Sequence, residues 1–150
     1  MPSTTIDYGI DLGTTNSAIA VWREDEPEVI ENNENAKTTP SAVWLDGAGQ
    51  LVTGTRRAYE QAFTDGERAY RAFKRQMGTD HVYQFARDGR TMRSEDLSAE
   101  VLKELKKSVA QRRADDLQAA VVTVPAAFWP SRLGTSGPGS IFIATRAARM

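Results

Sequence analysis

The chain has 150 residues, no cysteine and a formal net charge of −1. This length can bury about two-thirds of the unfolded surface in one domain or two small lobes, and the balanced charge gives no global field that would recruit nucleic acid or an anionic membrane. The lack of cysteine excludes disulfides, thiolate catalysis and sulfur-ligated metals; with no secretory signal at the N-terminus and no apolar run of membrane-spanning length, we expect a cytoplasmic protein.

The stretch Ile6–Trp22 is predicted to form a β-hairpin. Apolar and polar residues alternate through its first half, and Ile19 and Val21 share one face of its second half. The residues between the halves, Gly13–Asn16, are typical of a tight turn.

This turn has the composition of a phosphate-binding loop. Because Gly13 has no Cβ, the backbone can adopt unusual dihedrals and an oxyanion can approach it closely. The amides of Thr14, Thr15 and Asn16 can then converge on one anion, and the position of Asp11 beside them predicts a bound Mg²⁺ between the two negative charges. A hairpin turn without any ligand uses the same residue types, so local chemistry leaves both interpretations open.

Short strands and helices are predicted for the middle of the chain. The expected elements are strands at 27–30, 42–45 and 50–53, helices at 55–63 and about 70–77, and a hairpin of residues 83–85 and 91–93. Gly78 is interpreted as the C-cap of the second helix. Trp44 and Phe63 are predicted to lie in the core.

The clearest helix is predicted from about Ala99 to Arg113, with Ser98 as its N-cap. Its apolar stripe consists of Leu97, Val101, Leu102, Leu105 and Val109. The following run Ala119–Val124 is nearly all apolar and β-branched, which predicts a strand buried on both sides. A helix that leads into a buried strand indicates an α/β fold with a mixed sheet.

Read together, five ordered blocks resemble the heat shock protein 70 family of DnaK-type chaperones, at the N-terminal part of the ATPase domain. The blocks are Ile10–Ser17, Thr38–Ser41, Phe73–Arg75 with Gly78, Ser98–Leu102 and Val122–Phe128. Trp22 and the run Phe73–Gly78 are similar to the HscC-like branch. The resemblance implies the first lobe of an actin-like, ribonuclease-H-like ATPase domain that binds ATP and Mg²⁺.

The resemblance also implies residue roles. Asp11 would hold Mg²⁺ through water, and Gly13, Thr14, Thr15 and Asn16 would cradle the β- and γ-phosphates. Lys74 would contact the γ-phosphate and the attacking water, where an ammonium stabilises developing negative charge. Without the family match, Lys74 would be read as an ordinary solvated lysine. Pro125 resembles the family's switch proline.

The resemblance covers about residues 6–128, which predicts an incomplete N-terminal lobe over residues 1–128. Residues 129–150 depart from the family pattern, and we expect a truncated or frame-shifted product with a divergent Gly/Ser/Pro-rich tail. In the family, the catalytic glutamate, a second metal-side aspartate, the second phosphate loop and the adenosine pocket lie beyond residue 128. We therefore expect little turnover from this chain alone.

The family function is ATP hydrolysis coupled to protein folding, with unfolded clients and co-chaperones as partners of a full-length relative. Two alternatives remain: a sugar or acetate kinase of the same superfamily, which shares the Asp-x-Gly-x-Thr turn, and a non-enzymatic interaction fragment. No nucleic-acid or membrane partner is expected.

Overall fold

The structure is a computed structural model, and it describes residues 6–123 and 142–144. The strands are β1 (Tyr8–Asp11), β2 (Asn16–Arg23), β3 (Glu26–Val29), β4 (Thr39–Pro40), β5 (Ala42–Leu45), β6 (Leu51–Thr53), β7 (Ala69–Arg71), β8 (Val82–Gln84), β9 (Thr91–Arg93), β10 (Ala119–Thr123) and β11 (Phe142–Ala144). The helices are α1 (Arg56–Thr64), α2 (Ser94–Arg113) and a short 3₁₀ helix (Phe73–Gln76).

The central sheet has the strand order β11-β10-β1-β2-β3, and β4 pairs separately with β2. The pairs β1–β10 and β10–β11 are parallel, while β1–β2 and β2–β3 are antiparallel. Mixed sheets with helices are compatible with the predicted α/β fold. In the β1–β2 register Asp11 pairs with Ala18, so the chain reverses within residues 12–17 as the hairpin prediction requires.

The period of two along β1 and β2 places their large apolar side chains on one face. Ile10, Ile19 and Val21 are buried there against α2 and its neighbours, because side chains two apart along a strand point the same way. On the opposite face Trp22 is 57% exposed. The hairpin therefore contributes one face to the core.

A second sheet, ordered β6-β5-β7, packs with α1. The helix begins after Thr55, whose hydroxyl accepts a hydrogen bond from the Ala58 amide at 3.0 Å, a common N-cap arrangement. The predicted strands of residues 42–45 and 50–53 and the small hairpin β8–β9 are confirmed.

Helix α2 supplies the apolar stripe predicted for it. All five stripe residues are buried in one cluster with the hairpin and β10. The largest fully buried side chains of the described residues are Phe73, Phe85, Ile10, Ile19, Leu45, Leu97, Leu105, Leu117, Val43, Val101, Val109 and Val122. Burial of such a stripe stabilises a helix far more than its intrinsic propensity does.

The predicted helix over residues 70–77 is wrong. Residues 69–71 form β7, which pairs with β5, and only Phe73–Gln76 are helical. Ala72 separates the two in the left-handed region with φ 55°. The i, i+3, i+7 spacing was a weak signal here, because edge pairing with β5 satisfies the backbone of residues 69–71.

Three further expectations are corrected. Helix α2 begins at Ser94 rather than after Ser98, and the Asp96 carboxylate accepts a hydrogen bond from the Arg93 amide at 2.8 Å. Phe63 is 60% exposed rather than core, with the Arg71 guanidinium 4.1 Å from its ring centroid. Trp44 is only partly buried.

Strand β10 was expected to be buried on both sides, but burial alternates along it among the residues that the structure describes. Ala120 and Val122 are buried, whereas Val121 is partly exposed and Thr123 is exposed.

Residues 124–128 of the block Val122–Phe128, with Pro125, and most of the predicted tail lie outside the described residues. Within that tail Phe142–Ala144 form β11, parallel to β10. The predicted boundary at residue 128 stays a prediction. No helix among the described residues is both long and apolar enough to span a membrane.

Candidate functional site

The turn between β1 and β2 is shaped by a close backbone approach at Gly13. A Cβ built at this position would lie 1.9 Å from the carbonyl oxygen of Asn16. Gly13 does not have a positive φ, so close packing of the chain, rather than an unusual dihedral, requires glycine here. Any larger residue would force the turn open.

The residues of this turn are accessible. Thr14 is partly exposed, and Thr15 and Asn16 are exposed. Within residues 6–123 no loop or turn carbonyl accepts a hydrogen bond from the Thr14 or Thr15 amide. The turn therefore offers backbone donors to an incoming anion.

The segment Thr38–Ser41 holds the turn from the other side. The Ser41 hydroxyl donates to the Gly13 carbonyl at 2.8 Å, and the Ser41 amide donates to the Thr15 carbonyl at 2.9 Å. The hydroxyls of Ser41 and Ser17 lie 2.9 Å apart, both buried. Sequence reasoning found this segment only as a family block and missed its contacts with the turn, since the partners are more than twenty positions apart.

Asp11 ends β1 on the exposed side of the sheet. Parallel pairing sets Asp11 opposite Thr123, and the Thr123 hydroxyl donates to the Asp11 carboxylate at 3.1 Å. The carboxyl ends of β1 and β10 thus meet beside the turn, which is where ligands bind in α/β sheets. Thr123 was not singled out from sequence, although its place at the end of an apolar strand was a usable signal.

Lys74 reaches the same turn from the 3₁₀ helix. Its ammonium donates to the carbonyl of Leu12, the residue after Asp11. Partial burial lowers the pKa of Lys74 from its ordinary value, and the negative charge of Asp11 partly offsets that effect. The structure therefore brings together Asp11, the turn and a lysine that lies 62 positions away from its carbonyl partner.

Helix α2 fixes the segment that carries Lys74. The Ser94 hydroxyl donates to the Phe73 carbonyl, and the Glu95 carboxylate accepts from the Gly78 amide at 3.0 Å. Phe73 and Ser94 are buried. Both ends of the 3₁₀ helix are thereby tied to the first turn of α2, and Lys74 is held by a packed scaffold.

The residues present fit a magnesium-bound phosphate group. The exposed residues Thr15 and Asn16 offer hydrogen-bond donors that suit an anion, and Lys74 adds a cation. Within residues 6–123 and 142–144 no three His, Cys, Asp or Glu side chains cluster as a metal site. Mg²⁺ is commonly bound by one or two carboxylates together with phosphates and water, which matches the single Asp11.

A comparison with protein-family models identifies the family. Residues 7–88 match the model of the family described as Hsp70 protein, which is more than half of the 150 residues. The chain belongs to the Hsp70 family. The resemblance drawn from the five sequence blocks is confirmed at this level.

The Hsp70 match covers the part of the site built by β1, β2, Thr38–Ser41 and the 3₁₀ helix. Membership in the Hsp70 family indicates a chaperone ATPase function, and Hsp70 ATPases bind ATP and Mg²⁺. Helix α2 and β10, which hold Lys74 and contact Asp11, lie beyond the matched residues.

Proposed function

We propose that residues 6–123 form the phosphate- and magnesium-binding half of an ATP-hydrolysing Hsp70 chaperone, the first lobe of an actin-like ATPase domain. The observation that carries the proposal is the contact between the Lys74 ammonium and the Leu12 carbonyl. That contact sets a cation at the residue between Asp11 and Gly13. The mixed sheet with two parallel pairs on one side supports the lobe assignment.

Each group has a role that follows from its charge and position. Amides of Thr14, Thr15 and Asn16 would bind phosphate oxygens, with the Thr14 and Thr15 hydroxyls as further donors. Asp11 would hold water molecules of a hydrated Mg²⁺, and the Thr123 hydroxyl orients its carboxylate. Mg·ATP supplies the transferable phosphoryl group, whose charge Mg²⁺ partly neutralises.

Lys74 would act as the electrostatic catalyst. A preorganised cation stabilises charge that develops in phosphoryl transfer without reorganising at the moment of reaction. The hydrogen bonds from Ser94 to Phe73 and from Gly78 to Glu95 fix the segment that carries the ammonium. Partial burial strengthens its interaction with an anion relative to water.

We further propose that this chain alone binds Mg·ATP but turns it over slowly. Asp11, Thr15 and Asn16 are exposed on one side of the turn, and a single wall does not exclude water or align a nucleophile. Unfolded clients and co-chaperones are proposed as partners of a full-length relative.

Calorimetric titration of Mg·ATP into the chain tests the proposal. We expect binding that weakens at least tenfold when EDTA removes Mg²⁺ or when Asp11→Asn removes the charge. Asp25→Asn, in the turn between β2 and β3, is the matched control and should bind as the wild type does. Equal affinity for ATP with and without Mg²⁺ would contradict the assignment of Asp11.

A non-enzymatic interaction fragment is the second candidate, and the exposed Trp22 and Val29 favour it. Both side chains lie on the uncovered face of the β2–β3 pair, where Val29 is the partner of Ala20. Apolar groups there would promote association. A monomer in analytical ultracentrifugation that binds Mg·ATP would argue against this candidate.

A further inference from the structure

We propose that Ser41 is a positioning residue that sets the direction of the phosphate-facing amides in the turn. The inference rests on the proposed nucleotide function. Ser41 makes two hydrogen bonds to the turn, one from its hydroxyl to the Gly13 carbonyl and one from its amide to the Thr15 carbonyl. Gly13 and Thr15 are the neighbours of Thr14 in the chain, so Ser41 forms hydrogen bonds to the turn on both sides of Thr14.

The Ser41 hydroxyl donates its only hydrogen to the carbonyl of Gly13. A serine hydroxyl has one hydrogen and two acceptor positions, and the Ser41 hydroxyl donates to the Gly13 carbonyl at 2.8 Å. The hydroxyl of Ser17, 2.9 Å away, is therefore the donor in the contact between the two serines. Both serines are 1% exposed, so water does not compete for these bonds.

The direction of the amides follows from peptide geometry. In a trans peptide the N–H points opposite to the C=O of the same unit, and the described residues contain no cis peptide bond. Because the carbonyls of Gly13 and Thr15 point at Ser41, the N–H groups of Thr14 and Asn16 point away from it. Loss of the hydrogen bond from the Ser41 hydroxyl to the Gly13 carbonyl would allow the peptide unit that carries the Thr14 amide to rotate.

Ser41 is itself held in place. The side-chain amide of Asn32 donates to the Thr38 carbonyl at 3.0 Å, and Thr39 pairs with Ser17 in the β2–β4 ladder. A Cβ at Gly54 would lie 2.6 Å from the Thr39 side chain, which shows how closely this segment is packed. A fixed serine can transmit its position to the turn.

Four versions of the full chain test the inference: wild type, Ser41→Ala, Ser41→Thr and Ser108→Ala. Ser108 is the matched control, because it is also 1% exposed and donates its hydroxyl to a carbonyl, that of Glu104 within α2, at 3.1 Å. Calorimetry measures the affinity for Mg·ATP and for Mg·tripolyphosphate, which isolates the phosphate contacts. Thermal melting measures stability, and amide hydrogen exchange of Thr14 is followed by NMR.

We expect Ser41→Ala to weaken both ligands about tenfold, the effect of losing one amide–phosphate hydrogen bond of about 1.4 kcal/mol. The exchange of the Thr14 amide should change in the free protein. Ser108→Ala should bind within twofold of wild type despite a similar loss of melting temperature. Ser41→Thr keeps the hydroxyl and should restore most of the affinity; if it does not fold, the contrast between Ser41→Ala and Ser108→Ala decides.

Two results would overturn the inference in different ways. If wild type binds Mg·ATP and Ser41→Ala binds equally well, Ser41 is a structural residue only, while the proposed function stands. If wild type binds neither ligand, the proposed function fails and this inference fails with it.

Discussion

Replacement of Gly13 by alanine is the sharpest perturbation of the turn. A Cβ at Gly13 would lie 1.9 Å from the Asn16 carbonyl oxygen, and real Cβ contacts are essentially never below 3.0 Å. The two strands must therefore separate by about 1 Å, and the obstacle is backbone rather than a flexible side chain. Overpacking of this kind costs about 1–3 kcal/mol of stability.

Such a displacement moves the amides relative to Asp11 and Lys74. A misplacement of about 1 Å in a positioned site costs about 100-fold in function. We expect Gly13→Ala to weaken Mg·ATP binding at least tenfold in calorimetry and to lower the urea midpoint of unfolding. The conformation of α1 and of β8, which lie outside the turn, should be unaffected.

Gly9→Ala, in strand β1 shortly before the turn, is the matched control. A Cβ at Gly9 meets nothing within 4 Å, and replacing glycine by alanine without strain stabilises by about 0.4–1 kcal/mol through the unfolded chain. Its affinity for Mg·ATP should equal that of wild type. A folded Gly13→Ala protein that binds Mg·ATP within twofold of wild type would refute the argument from close approach.

Two further predictions concern Lys74 and Tyr8. Lys74→Met, with Lys107→Met as the exposed control, should weaken Mg·ATP more than Mg·ADP in calorimetry; equal losses for the two nucleotides would count against contact with the γ-phosphate. Burial and the hydrogen bond to Asp115 raise the pKa of Tyr8 to about 12. Its native state therefore loses stability as pH rises from about 10, where the unfolded tyrosine ionises, to about 12. Tyr8→Phe should reduce the fall in the free energy of unfolding between about pH 10 and about pH 12. An unchanged fall would show that ionisation of Tyr8 does not cause it.

Local patterns in the sequence predicted much of the fold. The alternation around Ile10 and Ile19, the short strand patterns at residues 42–45 and 50–53 and the apolar stripe of α2 specified their elements correctly. These signals work because side-chain period and turn chemistry act over a few residues. The failures, at residues 69–71 and at the start of α2, came where hydrogen bonding to a distant partner or an early cap outweighed local spacing.

The composition of the candidate site was readable from the sequence, but its geometry was not. Asp11 and Gly13–Asn16 could be named because glycine, hydroxyls and a carboxylate in one short turn indicate phosphate chemistry. Lys74 could be named only through family resemblance, and the contacts of Ser41 and Thr123 could not be named at all.

The sequence by itself determined the hairpin, its turn and the helix stripe, since all of these depend on neighbours along the chain. Only the tertiary structure decided that Lys74 and Leu12 meet across 62 positions, and Asp11 and Thr123 across 112. Such contacts arise from strand register and the packing of α2, which depend on burying the whole apolar core at once.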